Sequence, residues 1–240
     1  MTELRYLPDD DDTTEFTATV VEASPDSVVL EGTYFYPEGG GQPADRGRLE
    51  WDGGSAAVTD VRKDHGEVRH FLSDLSGDPP AAGETVTGHI DAERRSRLRR
   101  MHTAQHVVSR VVLDEYGATT AGNQVGAERS RIDFEPAEFD DADLDLIEAR
   151  SNDAVDADYP VVKEERPRAE VEAAVDEGRA LLDLIPDHVD PLRVVEIERF
   201  DLCPCGGTHV DSLGEVGGIE IVDRESKGAD VDRITFELRD

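Results

Sequence analysis

The chain has very little lysine. Only Lys63, Lys163 and Lys227 occur in 240 residues, and all positive charge together amounts to 25 Lys and Arg against 56 Asp and Glu, a formal net charge of −31. That balance argues against binding polyanions by bulk positive charge; nucleic-acid recognition would need a local patch. The acids are scattered through periodic segments, so they do not form a disordered acidic tail. The excess is read as adaptation to a salt-rich cytoplasm, where at ~1 M salt charges are screened beyond ~3 Å; the alternative is an ordinary acidic protein. No run approaches the ~18 apolar residues of a membrane span. The opening stretch MTELRYLPDDDD lacks the basic-then-apolar order of an export signal. A cytoplasmic protein with no membrane association is therefore expected. Cysteine is equally scarce: Cys203 and Cys205, one residue apart, cannot staple a long loop. With a histidine four residues after Cys205, they point instead to metal chemistry.

What is present divides by period. Up to about residue 90, short runs at 16–24, 27–37, 56–64, 67–72 and 85–91 alternate apolar and polar residues. Turn signals separate them, including Glu38-Gly39-Gly40-Gly41 and Asp52-Gly53-Gly54. A small β-barrel is expected over 1–90, with a linker zone at Asp74–Gly83 before its last strand. The period then changes. A helix is expected from Asp91, its N-cap, to Tyr116, with Gly117 as the stop and Leu98, Met101, Val108 and Val112 as its core stripe. Strands near 131–135, 159–165, 192–198, 218–223 and 232–238, with helices near 140–154 and 168–182, make 91–240 an α+β second domain.

Two short motifs carry the chemistry. In His102-Thr103-Ala104-Gln105-His106 the histidines are spaced i, i+4, so on a helix both imidazoles leave the same side. In Cys205-Gly206-Gly207-Thr208-His209 a thiol and an imidazole flank a pair of glycines. One Cys and three His form a mixed set that favours Zn²⁺ over harder ions. Four protein ligands describe a closed structural site, whereas catalysis keeps a position open. Either His209 or His102 is then displaceable, or the ion orients substrate instead of generating a nucleophile. Spacing alone also leaves open a swap of Cys203 for Cys205.

The pair HxxxH and CGGTH, the latter as DLCPCGGTHV, resembles the editing domain of alanyl-tRNA synthetases and their free-standing relatives. The stretch Thr33–Asp45, TYFYPEGGGQPAD, is similar to that family's GGGQ loop, and Ser226-Lys227-Gly228 with Arg233-Ile234 resembles its closing hairpin. The matches run in family order from 33 to 234, without an aminoacylation core, as in a free-standing relative. The resemblance implies zinc held by His102, His106, Cys205 and His209, and hydrolysis of the aminoacyl ester on mischarged alanine tRNA, carrying serine or glycine. It implies that Gly40, Gly41 and Gln42 reach over the pocket onto the acceptor end of tRNA(Ala), against a plain hairpin turn. Asp133 would hold the substrate amino group, or would simply be a solvent-facing strand residue; Thr120 and Gln124 are further pocket candidates. Asp232 stands where the family tends to carry a basic residue, which weakens a phosphate role for the hairpin.

One dense cationic patch remains, Arg94, Arg95, Arg97, Arg99 and Arg100, leading into the first histidine pair. It is read as a phosphate ramp with Arg95 and Arg99 on the acceptor stem; the alternative is a solvated helix face. Two other classes of function compete: a non-catalytic tRNA-binding module with structural zinc, and a threonyl-type editing domain, which the GGGQ loop disfavours.

Overall fold

The computed structural model describes residues 1–180, 182, 185–228 and 230–239. The chain forms two compact units, Met1–Arg97 and Leu98–Asp240. The architecture is α+β with an N-terminal barrel, as expected.

In the first unit β1 (Glu3–Leu4) pairs in parallel with β4 (Gly32–Thr33). A closed barrel runs in the order β2 (Glu15–Ser24), β3 (Ser27–Leu30), β7 (Glu67–Ser76), β6 (Gly54–Asp64), β5 (Gly47–Trp51) and β8 (Thr85–Ile90). Alternation in β2 sends Phe16, Ala18 and Val20 inward, where they meet Leu30, Phe35, Leu49, Val61 and Val86. Two expectations change. Strand β5, five residues bounded by glycines, was not expected. The supposed linker at 74–83 begins inside β7 and continues as a barrel loop, with Gly83 donating its N–H to Val20 O.

The long helix α1 (Ala92–Tyr116) has the expected limits. Asp91 Oδ1 accepts from Arg94 N at 3.0 Å as an N-cap, and Gly117 (φ +66°) adopts the left-handed conformation that ends a helix. In the second unit a four-stranded sheet runs β14 (Gly218–Gly228), β15 (Val231–Arg239), β10 (Ser130–Glu135), β9 (Thr119–Gln124). A three-stranded sheet runs β11 (Val161–Arg166), β12 (Leu192–Ile197), β13 (Asp201–Pro204). Helix α2 (Asp141–Asp156) starts with a capping box in which Asp140 and Asp143 exchange bonds with each other's backbone N–H. The next helix, α3, covers only Arg168–Ala174; Gly178 (φ +80°) turns the chain, and residue 181 of the longer helix expected here lies outside the described residues.

The expected core stripe of α1 is buried: Leu98, Met101, Val108 and Val112 pack among Ile132, Phe134, Ile234 and Phe236. The helix is also buried on its other faces, since every residue from Met101 to Ser109 is buried. Its polar residues are therefore interior groups, and each needs a partner.

Candidate metal centre

Helix α1 carries His102 and His106, and the turn after β13 carries Cys205 and His209. Their ligand-type atoms all lie within 4.8 Å of one another. His209 Nε2 stands 3.3 Å and His102 Nε2 3.6 Å from Cys205 Sγ, and the ring centroids of His102 and His209 are 4.4 Å apart. The Asp201 carboxylate stands outside the set, with Oδ2 3.5 Å from His106 Nδ1. Three imidazoles and a thiol brought together in a buried space repel as cations and gain little as neutrals unless a cation joins them. The donor set thus fits a borderline ion such as Zn²⁺, and the four residues could hold one.

The electrostatics suit ligation, which needs a neutral imidazole and a thiolate. Burial, then the charges of His102 and His106, push His209 well below the ordinary imidazole value. Burial alone would raise Cys205, but hydrogen bonding and charge from His106, with Arg193, outweigh it and leave the thiol lowered. Cys203 differs. Burial pushes it up to about 12, and it is not part of the cluster, so the cysteine brought to the site is Cys205.

Surrounding groups fix the ligands. Thr103, between the two helix histidines, donates its hydroxyl proton to Arg99 O at 3.0 Å, so its oxygen accepts from His209 Nδ1 at 3.1 Å. The His209 lone pair is then on Nε2, the nitrogen nearest Cys205. The His209 carbonyl accepts from Arg99 Nε (2.6 Å) and buried Lys163 Nζ (3.4 Å), and Asp211 binds both cations. Gly207 N donates to Cys205 Sγ at 3.3 Å. Neither Gly206 nor Gly207 has a positive φ, so the two glycines are not demanded by the backbone conformation.

Other expected site residues are placed differently. Arg95 is 1% exposed and cannot belong to a phosphate ramp. Its guanidinium binds the Asp45 carboxylate and donates to Asp11 O (2.5 Å) and Tyr34 O (2.6 Å). Arg99 is committed to His209 O and Asp211, with a side chain 12% exposed. The arginines are absorbed because the turns they serve would otherwise bury unpaired carbonyls and a carboxylate.

Gly40 (φ +57°) and Gly41 (φ +83°) occupy the centre of a two-residue hairpin closed by Gly39 N to Gln42 O (3.1 Å) and Gln42 N to Gly39 O (2.9 Å). Two successive positive φ values define the turn type that selects glycine. Gln42 is fully buried, so the tip exposes glycine backbone and not the glutamine side chain that was expected to reach outward.

Asp133 on β10 faces Arg233 on β15 and accepts from it at 2.6 and 2.9 Å, which holds its carboxyl below the usual range. It is half-buried and already has a cationic partner. Asp232, buried, binds Arg224 and Phe139 N. Thr120 donates to Ser109 Oγ at 3.0 Å, which also accepts from Gln105 Nε2, while Gln124 lies exposed at the end of β9. Sequence reading passed over Thr103, Lys163, Asp211, Asp201 and Arg179. Thr103 could have been found inside its motif; the others contact the site only through the fold.

The description "tRNA synthetases class II (A)" matches residues 8–94, and "Threonyl and Alanyl tRNA synthetase second additional domain" matches 192–235. The chain is 39% identical over 230 residues to the alanyl-tRNA editing protein AlaX-M of Methanosarcina barkeri, covering 94% of this chain and 95% of that protein. The corresponding protein of Methanosarcina acetivorans is 38% identical, with 94% and 95% covered. The chain belongs to the AlaX-M family of alanyl-tRNA editing proteins. It is also 42% identical to the alanine–tRNA ligase of Methanopyrus kandleri, over 98% of this chain but 26% of that enzyme. No described helix is long and apolar enough to cross a membrane.

Proposed function

We propose that this AlaX-M family chain is a trans-editing hydrolase. Its proposed reaction cleaves the aminoacyl ester of mischarged alanine tRNA, with Ser-tRNA(Ala) and Gly-tRNA(Ala) as the proposed targets. The convergence of His102, His106, Cys205 and His209 within 4.8 Å carries the proposal, in a chain whose relatives are named for alanyl-tRNA editing. Bound there, Zn²⁺ would supply a Lewis acid next to the ester.

The protein's own groups have definable tasks. Thr103 keeps His209 in its Nδ1–H form, and Lys163 and Arg99 fix the backbone that carries His209. The ester reaction develops negative charge on oxygen, for which the backbone amide of Gly206 is a candidate donor, that of Gly207 being given to Cys205 Sγ. A hydroxyl-bearing substrate could be selected over alanine through the Gln105–Ser109–Thr120 hydroxyl and amide groups, since hydrogen bonding discriminates more strongly than methylene size. The Gly39–Gln42 turn would contact the tRNA acceptor end through glycine backbone, and Gln124, Thr120 and Asp133 remain proposed pocket residues. The acidic excess fits a salt-rich cytoplasm.

Four protein ligands favour one further reading, a closed structural zinc in a tRNA-binding module. One assay tests both: deacylation of Ser-, Gly- and Ala-charged tRNA(Ala) by zinc-loaded protein. Faster loss of serine than alanine is expected. Binding without turnover of any of the three would replace the hydrolase reading with the binding module.

A further inference from the structure

We infer that Asp201, gripped by Arg179, is a positioning residue for His106, so that the turn after α3 belongs to the metal centre. The inference rests on the reading that His102, His106, Cys205 and His209 hold a metal ion.

Asp201 opens β13, and its carboxylate is fully buried. Oδ1 accepts from Arg179 Nε at 2.5 Å and Oδ2 from the second guanidinium nitrogen at 2.5 Å. Oδ2 also faces His106 Nδ1 at 3.5 Å. The Arg179 side chain is 5% exposed. Burying such a pair carries a desolvation penalty on each ion, and well-packed apolar residues of the same volume often stabilise as well. Stability alone therefore gives no reason for this pair. Its geometry does: a planar, two-point grip leaves the carboxylate little freedom to rotate.

His106 Nδ1 is buried and has no closer partner within ordinary hydrogen-bond geometry. A proton on Nδ1 directed at this carboxylate leaves the lone pair on Nε2, the form an imidazole needs for ligation. The negative charge of Asp201 also makes the ring a better donor to a cation. His209 is arranged by the same logic with a neutral group, Thr103. Two of the three imidazoles thus have an acceptor at Nδ1, supplied by different parts of the fold. Arg179 reaches Asp201 because α3 stops at Ala174 and Gly178 reverses the chain. A longer α3 would carry Arg179 elsewhere.

The test uses the full chain stripped of metal, titrated with Zn²⁺ and with Co²⁺ against a chromophoric chelator. The variants are Asp201→Asn and the double variant Asp201→Asn/Arg179→Gln, which leaves no buried uncompensated charge. Near-UV circular dichroism establishes that each is folded. We expect wild type to bind both ions, and both variants to bind about 10- to 100-fold more weakly with shifted Co²⁺ visible bands. If Asp201→Asn fails to fold, the double variant carries the comparison. A folded double variant with wild-type affinity and spectrum would overturn the inference and leave the pair a structural ion pair. Wild-type protein that binds neither ion would remove the metal reading and the inference with it, a result distinct from the first.

Discussion

Arg95 and Asp45, fifty positions apart, form a buried ion pair at the base of the glycine turn. Neither has surface to offer a ligand: their side chains are 1% and 0% exposed. Asp45 Oδ2 also accepts from Tyr36 N at 2.6 Å, and Tyr36 OH donates to Gly39 O at 2.8 Å. The pair thereby connects the first turn of α1 to the irregular segment 34–38 that leads into Gly39–Gln42. Replacing Arg95 by leucine leaves a buried carboxylate unpaired, which costs about 3–5 kcal/mol. Denaturation followed by fluorescence of Trp51, the single tryptophan and part of β5, should show that loss. A midpoint within error of wild type would show that Asp45 finds another partner.

The glycine turn yields a separate expectation. A Cβ at Gly40 meets nothing nearer than Tyr36 OH at 4.0 Å, so alanine there is sterically tolerated in space but not in conformation. Gly40→Ala or Gly41→Ala should each cost about 1–2 kcal/mol, and asparagine less, because it enters the left-handed region more readily. Under the proposed function, Gly40→Ala should also slow deacylation while zinc content stays at the wild-type level. Unchanged turnover would reduce the turn to a connection. Gln42, being buried, should act on stability first.

The two cysteines should separate cleanly. Purified protein is expected to carry about one equivalent of zinc. Cys205→Ala should lose it, and Cys203→Ala should keep it, because only Cys205 lies in the cluster. Elemental analysis after gel filtration decides; zinc retained in Cys205→Ala would refute the ligand set.

His70 makes barrel stability depend on pH. It is fully buried, receives the Thr33 hydroxyl proton at Nε2 (2.8 Å) and faces Val28 O through Nδ1 at 3.3 Å, with burial lowering it to about 4. The unfolded histidine titrates near ~6.5, so between ~6.5 and about 4 the unfolded chain binds the extra proton. The stabilisation is complete above ~6.5 and is lost as pH falls toward 4, by about 3 kcal/mol. His70→Gln should flatten that slope in a pH series of Trp51-monitored denaturation. An equal slope in the variant would assign the acid sensitivity elsewhere.

Salt should act unusually on tRNA binding. Counterion release weakens protein–nucleic acid complexes as salt rises, but a chain of net charge −31 repels RNA most strongly at low salt. Arg95 is buried on Asp45 and Arg99 is tied to His209 O and Asp211, so neither adds a free phosphate contact to the salt dependence. Affinity should therefore change weakly or increase from low to molar KCl in a binding titration. Arg95→Glu should fail through the fold of the first unit; a folded Arg95→Glu protein with specifically weakened tRNA binding would restore the ramp.

Much of the site was already written in short stretches of sequence. The i, i+4 histidines, the Cys205–His209 motif, the Asp91 cap and the Gly117 stop are local features, governed by geometry within one or two helical turns, and α1 follows them to its ends. The glycine pair at 40–41 likewise announced a turn, because few other residues take two positive φ values in succession. Partners were not legible. Whether an arginine meets solvent, a carboxylate or a carbonyl depended on groups 50 positions away for Arg95 and 110 for Arg99. Cys203 and Cys205 have equivalent spacing claims, and only the path of β13 and its turn put one of them beside the imidazoles. Asp201 and Arg179 carry no motif and meet through a chain reversal at Gly178. Capping and periodicity act over a few residues, whereas the cost of removing a charge from water is met by whichever group the assembled fold brings within reach.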